Sequence, residues 1–300
     1  MSPETLAPEW AWYYVALYFF IAGTAAGAYF TGTLAELFGG ERLRQISRLA
    51  FYITLPLLML TPILLIADLG RPERFWHLFF YTTDGIPYIN LQSPLSVGSW
   101  ALMVFGGFAL LSFLDNLIAD GHLRSAPFAK LYNRLPRKLY ALAGSIAGFF
   151  VAGYTGVLLN VTARPLWEAT DPLLGALFVA SGGSTGVAAI LLVMSCRKTA
   201  SGEPFEQLEA FDRLVMILEL LLIVAVIAVA GQFAAPLLGG FLAFLFWVGA
   251  VLLGICVPFG LNWHIHRTRR AGSGLVLLSA VLVLIGGALL RIVLLQAGLV

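Results

Sequence analysis

The chain has 300 residues, 60% of them hydrophobic and only 11% charged, with a mean hydropathy of +0.89. A water-soluble domain carries about 25% charged residues, so the composition excludes a soluble globule and predicts apolar runs that cross a bilayer. The net charge of +2 says little about partners, but no basic stretch interleaved with aromatics points to nucleic acid.

The N-terminal stretch Met1–Glu9 has no basic region and contains Glu4 and Glu9, which does not read as a cleaved signal peptide. Apolar windows of about 20 residues then follow at Ala11–Phe38, Leu49–Asp68, Ser96–Leu117, Leu139–Asn160, Leu173–Met194, Leu214–Ala234, Phe241–Trp263 and Leu275–Leu299. They predict an all-α integral membrane protein, residues 1–300 forming one membrane domain with eight transmembrane helices. Small residues (Gly23, Gly27 and Gly32 in the first helix, Gly182, Gly183 and Gly186 in the fifth, Gly286 and Gly287 in the eighth) predict close helix contacts. The first and fifth helices share a loose pattern, FIAGTAAG at Phe20–Gly27 and FVASGGSTG at Phe178–Gly186. That pattern suggests two four-helix bundles, residues 1–168 and 169–300. Pro56 and Pro62 are expected to kink the second helix and Pro258 the seventh.

Orientation follows from Lys and Arg. One set of alternate loops holds Arg42, Arg44, Arg48, Arg124, Lys130, Arg134, Arg137, Lys138, Arg197, Lys198, Arg213, Arg267, Arg269 and Arg270; the other holds Arg71, Arg74, Arg164 and Arg291. Fourteen against four assigns the first set to the cytoplasm and both termini to the extracytoplasmic face. The four outer arginines run against this bias, so something other than topology requires them.

Three motifs crowd that outer face. Asp68–Leu78 (DLGRPERFWHL) packs Asp68, Arg71, Glu73, Arg74, Trp76 and His77 into a nearly uncharged sequence. As plain structure it is an interfacial anchor, with Trp76 at the headgroup level and the arginines snorkelling. Ser93–Trp100 (SPLSVGSW) reads as an N-cap serine followed by proline at the first helical position. Gly153–Trp167 (GYTGVLLNVTARPLW) places Tyr154 six residues before Asn160, about 9 Å inside the helix end. A phenol at that depth needs a hydrogen-bond partner on another helix or on a polar ligand head.

These motifs, with the small-residue segment Gly23–Gly27, resemble those of the NrfD/polysulfide-reductase membrane-subunit family. The resemblance implies eight helices in two four-helix bundles and no haem. It implies a quinone-reactive membrane anchor in a bacterial or archaeal inner membrane. Its periplasmic face would dock a ferredoxin-like iron–sulfur subunit, itself serving a molybdopterin or multihaem catalytic subunit. The head of a menaquinone or ubiquinone is implied at the outer end of the first bundle. Tyr154 is similar to the family's quinone-site tyrosine, and Leu69 and Gly70 to its loop contacts. Tyr14 and Tyr18 stand where some members place asparagine and histidine, one turn apart. Asp68 is the better proton acceptor beside Tyr154, and Arg71, Arg74, His77 and Arg164 are expected to face the partner.

The residues themselves agree that this protein holds no redox centre of its own. Cys196 and Cys256 stand far apart, each expected as a buried apolar thiol, and cannot ligate a cluster. His77, His122, His264 and His266 lie near helix ends, where facing haem ligands are not expected. No metal site is read. Glu36 and Asp115 near cytoplasmic ends and Glu219 deeper in the sixth helix are candidates for a proton path. Protonated or paired structural acids are the plainer reading. Arg291 either snorkels outward or pairs within the second bundle. Asn262, His264 and His266 read as interfacial. Two other readings fit the composition: a secondary transporter, for which the glycine-rich fifth helix and Pro258 are the hints, and a passive anchor that binds no quinone.

Overall fold

A bilayer offers no water to backbone amides, so a spanning segment must close its hydrogen bonds internally. The structure, a computed structural model that describes residues 12–69, 71–83, 86–123, 137–162, 164–268 and 273–300, does this with helices. Among the described residues, eight helices are long and apolar enough to cross a membrane. They are α1 (Trp12–Phe38), α2 (Arg44–Ala67), α3 (Pro94–Ala119), α4 (Arg137–Asn160), α5 (Leu173–Cys196), α6 (Gly202–Ala230), α7 (Gly240–Thr268) and α8 (Ser273–Leu299). The chain is therefore an all-α integral membrane protein, as its composition predicts.

The largest difference from the sequence reading is at α6, which starts at Gly202 rather than Leu214. The added turns contain Glu203, Glu206, Glu209, Asp212 and Arg213, a charged stretch that hydropathy reads as loop. Phe205, Leu208, Glu209, Asp212, Met216, Glu219, Ile223 and Val226 are all buried and recur at helical spacing, so one stripe continues from the polar turns into the apolar ones. The connection after α2 also holds more structure than expected: a 3-10 turn over Pro72–Leu78 and an antiparallel pair of strands, β1 (Tyr81–Thr83) with β2 (Ile86–Tyr88).

Ser93 caps α3 with its hydroxyl accepting from the Ser96 amide, and Pro94 takes the first helical position. Helix α2 runs through Pro56 and Pro62. Pro62 cannot donate to the carbonyl four residues back, and the Thr61 hydroxyl donates to that Leu58 oxygen instead, at 2.7 Å. In α7 the residues before Pro258 form a π-helix, Leu245–Cys256, which absorbs the proline within a continuous helix.

Close packing at the centre explains the glycines. A Cβ at Gly27 would lie 1.9 Å from the Gly182 carbonyl oxygen, and one at Gly186 would lie 2.2 Å from the Ala28 nitrogen. The two similar segments of α1 and α5 thus cross backbone to backbone. Helix α1 also packs on α2, α4 and α8, α3 packs on α2 and α4, and α8 packs on α5 and α7. Cys196 and Cys256, expected buried, are exposed on the protein surface. For Cys256, within the length of α7, a small apolar side chain gains nothing from burial where the surrounding solvent is hydrocarbon.

Candidate functional site

The alternating ends of the helices define two faces, one carrying the three motifs and one rich in arginine. At the motif-bearing face four helices converge on a small cavity of about 30 Å³. Tyr14 and Tyr18, one turn apart on α1, line it with Asp68 at the end of α2; Leu64, Leu65, Leu95 and Leu158 complete its apolar wall. Tyr18 is buried and Tyr14 half-buried. Asp68 caps α2, its backbone amide donating to Leu64 and Ile66. Leu95 is shared with a wider, shallower pocket of about 450 Å³ nearer the surface, lined by Leu69, Arg71, Arg74, His77, Tyr81 and Ser93 among others. The structure therefore stacks a basic pocket over a tyrosine- and carboxylate-lined one. Gly70 lies outside the described residues.

Tyr154 stands behind this cavity rather than in its wall. Its ring lies against Gly98 of α3, where an added Cβ would come within 2.2 Å of the ring. Its hydroxyl donates to the Pro94 carbonyl at 2.5 Å. The partner demanded by its depth is thus the first turn of α3. Leu158, one turn further out on α4, does line the cavity. Arg164 is apart from both pockets: it precedes the short helix Pro165–Ala169. The neighbouring Trp167 is buried and donates to the Leu294 carbonyl at 2.9 Å, which latches that motif to α8. Trp100 is a second latch, donating to Phe79 in the 3-10 turn connection at 3.1 Å.

The acids proposed for a proton path fall into two separate networks. At the arginine-rich end, Glu36 and Asp115 both meet Arg137, at 3.0 and 2.9 Å. These are ion-pair distances without aligned hydrogen bonds, since Arg137 Nε and Asp115 Oδ2 make none. Asn116 accepts from Arg137 at 3.1 Å, and Glu36 accepts from Ser47 at 2.8 Å.

Glu219 belongs to the other network, deep between α5, α6 and α8. Arg291 is fully buried and neither snorkels nor stays within the second half of the sequence. It donates to Gly287 and Ser181 at 2.9 and 3.0 Å, to the Phe178 carbonyl at 3.4 Å and across to the Phe19 carbonyl of α1 at 3.2 Å. Gly23 makes room for it: a Cβ there would lie 2.7 Å from the guanidinium. Ser181 is hydrogen-bonded to Glu219 as well. One turn away on α5, Ser184 donates to Asp212 at 3.5 Å. Asn262, expected at the interface, is buried; it donates to Asp212 and accepts from Ser279, each at 3.0 Å. One turn before Asp212, Glu209 is 1% exposed, and one of its oxygens has no partner. It lines a pocket of about 690 Å³ open at the arginine-rich face.

The sequence reading missed Glu209 and Asp212, placed Asn262 at the interface and left Arg291 undecided. Positions 209, 212, 216, 219 and 223 fall on one helical face, and that spacing was the available signal.

Comparison with known proteins agrees with this architecture. The family described as polysulphide reductase, NrfD, matches residues 4–300. One of the polysulfide reductase chains of Wolinella succinogenes is 31% identical over 96% of this protein and 94% of its own length. A homologue of protein NrfD from Haemophilus influenzae is 29% identical over 97% of this protein and 95% of its own length. One of the selenate reductase subunits of Mesobacillus selenatarsenatis is 24% identical over 94% of this protein and 72% of its own length.

Proposed function

Because the chain belongs to the polysulphide reductase NrfD family, we propose that it is the quinone-reactive membrane subunit of a respiratory oxidoreductase. The observation that carries this reading is the stacked pair of pockets: Tyr14, Tyr18 and Asp68 below, Arg71, Arg74 and His77 above. The lower pocket offers hydroxyl and carboxylate groups on one side and leucines on the other, which suits a polar ring with an isoprenoid tail. At about 30 Å³ it is far below the roughly 300–1,000 Å³ of most ligand pockets. Binding therefore requires Leu64, Leu65 and Leu158 to move outward, and all three are on helices that border lipid.

A bound quinone, menaquinone or ubiquinone, supplies two-electron, two-proton chemistry. The protein supplies placement and proton handling. Tyr18 and Tyr14 present hydroxyls to the ring oxygens. The Asp68 carboxylate, at a helix end, exchanges a proton with the outer aqueous phase. Tyr154 holds the wall, and a ring oxygen competes with the Pro94 carbonyl for its O–H. Leu69 lines the pocket above. Arg71, Arg74 and His77 form the docking face for a ferredoxin-like iron–sulfur subunit, with Arg164 at its margin. That subunit exchanges electrons between the quinone and a molybdopterin or multihaem catalytic subunit. The motif-bearing face is periplasmic in this reading, by the fourteen-to-four bias, and residues 1–168 and 169–300 act as two four-helix bundles.

Proton translocation is the second element, favoured by the buried series Glu209, Asp212, Ser184, Ser181 and Glu219. It begins at a pocket on the arginine-rich face and ends at Arg291, which grips the carbonyl next to Tyr18. Glu36 and Asp115, fixed by Arg137, stand at the same face as its beginning.

The test is quinol-analogue fluorescence quenching with steady-state quinol turnover in the assembled complex. Tyr154→Phe and Tyr18→Phe are expected to weaken affinity by up to about tenfold, the value of one net hydrogen bond. Asp68→Asn is expected to slow turnover more than it weakens binding. Wild-type behaviour in all three would place the quinone elsewhere and remove the reading.

A further inference from the structure

The arginine-rich face carries a second pocket that neither the quinone site nor the buried acids use. It opens between the first turns of α2, the end of α3 and the end of α5, and encloses about 640 Å³. Its polar wall includes Arg44, Arg48, Asp120 and Arg197, with His122 beside them, and Leu49, Tyr52 and Leu117 form its floor. Arg44, Arg48 and Tyr52 recur one turn apart on α2, so one helix face presents two guanidiniums above a phenol.

Asp120 organises the wall. Arg48 donates to one of its oxygens, and the Tyr52 hydroxyl donates to the other at 2.8 Å. Burial works to raise this carboxyl, but the hydrogen bonds from Arg48 and Tyr52 outweigh it and hold it below the usual carboxylate range. The carboxylate fixes the Arg48 fork and neutralises one positive charge. Arg44 reaches the exposed Glu41 at 3.1 Å, outside the pocket lining. Arg197 caps the end of α5, is exposed, and makes no ion pair among the described residues. Three guanidiniums against one carboxylate leave the lining with an excess of two positive charges.

We propose that this pocket binds a phosphate-bearing anion, and that the anion is the phosphodiester head of an anionic glycerophospholipid in the adjoining leaflet. Guanidinium forks match phosphate oxygens in pairs, and basic pockets between membrane helices suit anionic headgroups. The floor decides between a lipid and a soluble phosphate. Leu49, Tyr52 and Leu117 make that floor apolar, and Tyr52 sits edge-on to Phe113 at 5.4 Å. A glycerol backbone and the start of two acyl chains would cover that surface, and inorganic phosphate would leave it wet. The site also ties α5 to α2 and α3, whose ends here are joined by no described ion pair to Arg197.

The experiment uses the full-length protein, delipidated in detergent and supplied with equimolar phosphatidylglycerol and phosphatidylcholine of matched acyl chains. Retained lipid is read by native mass spectrometry, with inorganic phosphate as competitor. Each arginine near an anionic headgroup is worth about a fivefold change in preference. Wild type is expected to retain phosphatidylglycerol over phosphatidylcholine by at least that factor. Arg197→Gln is expected to lower the preference about fivefold, and the double variant with Arg44→Gln to lower it further. Arg197 is exposed and makes no ion pair among the described residues, so its replacement leaves the fold intact and the single variant alone decides. Equal retention of both lipids, an unchanged preference in Arg197→Gln, or displacement of the lipid by equimolar inorganic phosphate would each overturn the proposal.

Discussion

Two arginines, one half-buried and one fully buried, show how differently one membrane protein can accommodate the same charge. Arg137 lies at a helix start, 18% exposed, with Glu36 and Asp115 beside it. Arg291 lies deep in α8, 0% exposed, and its donors go to two serine- and glycine-derived acceptors and two aromatic-residue carbonyls. The first is a charge cluster near water, where opposite charges are at hand and geometry is loose. The second is a hydrogen-bonded cation whose nearest acid, Glu219, is reached through a shared hydroxyl. Neutral carbonyls ligate the second because they are the acceptors a helix interface offers when glycine lets side chains reach the backbone.

The comparison breaks most visibly at Arg291. Arg291→Leu leaves the Ser181 hydroxyl and the carbonyl oxygens of Phe19, Phe178 and Gly287 without their donor; each buried acceptor left unsatisfied costs about 1–3 kcal/mol, and the set is expected to cost about 3–5 kcal/mol. Reversible unfolding in mixed micelles checks it; a smaller loss than Arg137→Gln would reverse the ranking drawn here. Arg137→Gln is expected to cost about 1.5–3 kcal/mol, the value of the charge-assisted hydrogen bond to Asn116 that goes with the two ion pairs. Adding Glu36→Gln and Asp115→Asn to it recovers part of that loss, because the acids no longer face each other unpaired. No recovery in the triple variant would show that the arginine acts by packing alone.

Smaller effects sharpen the picture at the other face. Tyr154→Phe removes the hydroxyl from Pro94 and is expected to cost about 0.5–1.5 kcal/mol in unfolding, separately from the effect proposed for it on quinol binding. Arg71→Glu with Arg74→Glu is expected to release the electron-transfer partner during purification while unfolding of the membrane subunit is unchanged, because charge reversal acts on docking. Retention of an active complex would leave these arginines as lipid anchors.

The smallest effect is at Asp120, where the ion pair is near the surface and contributes at most about 1 kcal/mol. Its carboxyl is held below its ordinary value by Arg48 and Tyr52 against the pull of burial. A depressed carboxylate contributes stability that is present above the unfolded value, about 3.9, and lost as pH falls through the folded one. Asp120→Asn should therefore cost the same at pH 7 and pH 5. An effect that already shrinks between those values would contradict the depressed carboxyl.

Much of the fold could be read in the sequence because a bilayer leaves few choices. Seven of the eight helices begin and end within a few residues of their hydropathy windows. The exception, α6, fails for a physical reason: Glu209 and Asp212 look like loop residues until neighbouring helices bury them. The small residues announced close helix contacts, but that Gly27 meets Gly182 across the two halves of the sequence was not legible. The candidate site was legible in part. Tyr14, Tyr18 and Asp68 share one cavity, whereas Tyr154 turned out to hold α3 and Arg164 to stand at a latch made by Trp167.

The sequence by itself determined what depends on local composition: eight apolar helices, the Ser93 cap of α3, the charge bias between faces, and membership of the family. Only the tertiary structure decided which polar atoms meet. Trp167 finds Leu294, Arg291 finds Phe19, and Asn262 finds Asp212 across 127, 272 and 50 residues of sequence. Hydropathy grades each residue by its own side chain, while a buried donor is settled by whichever acceptor another helix brings within reach.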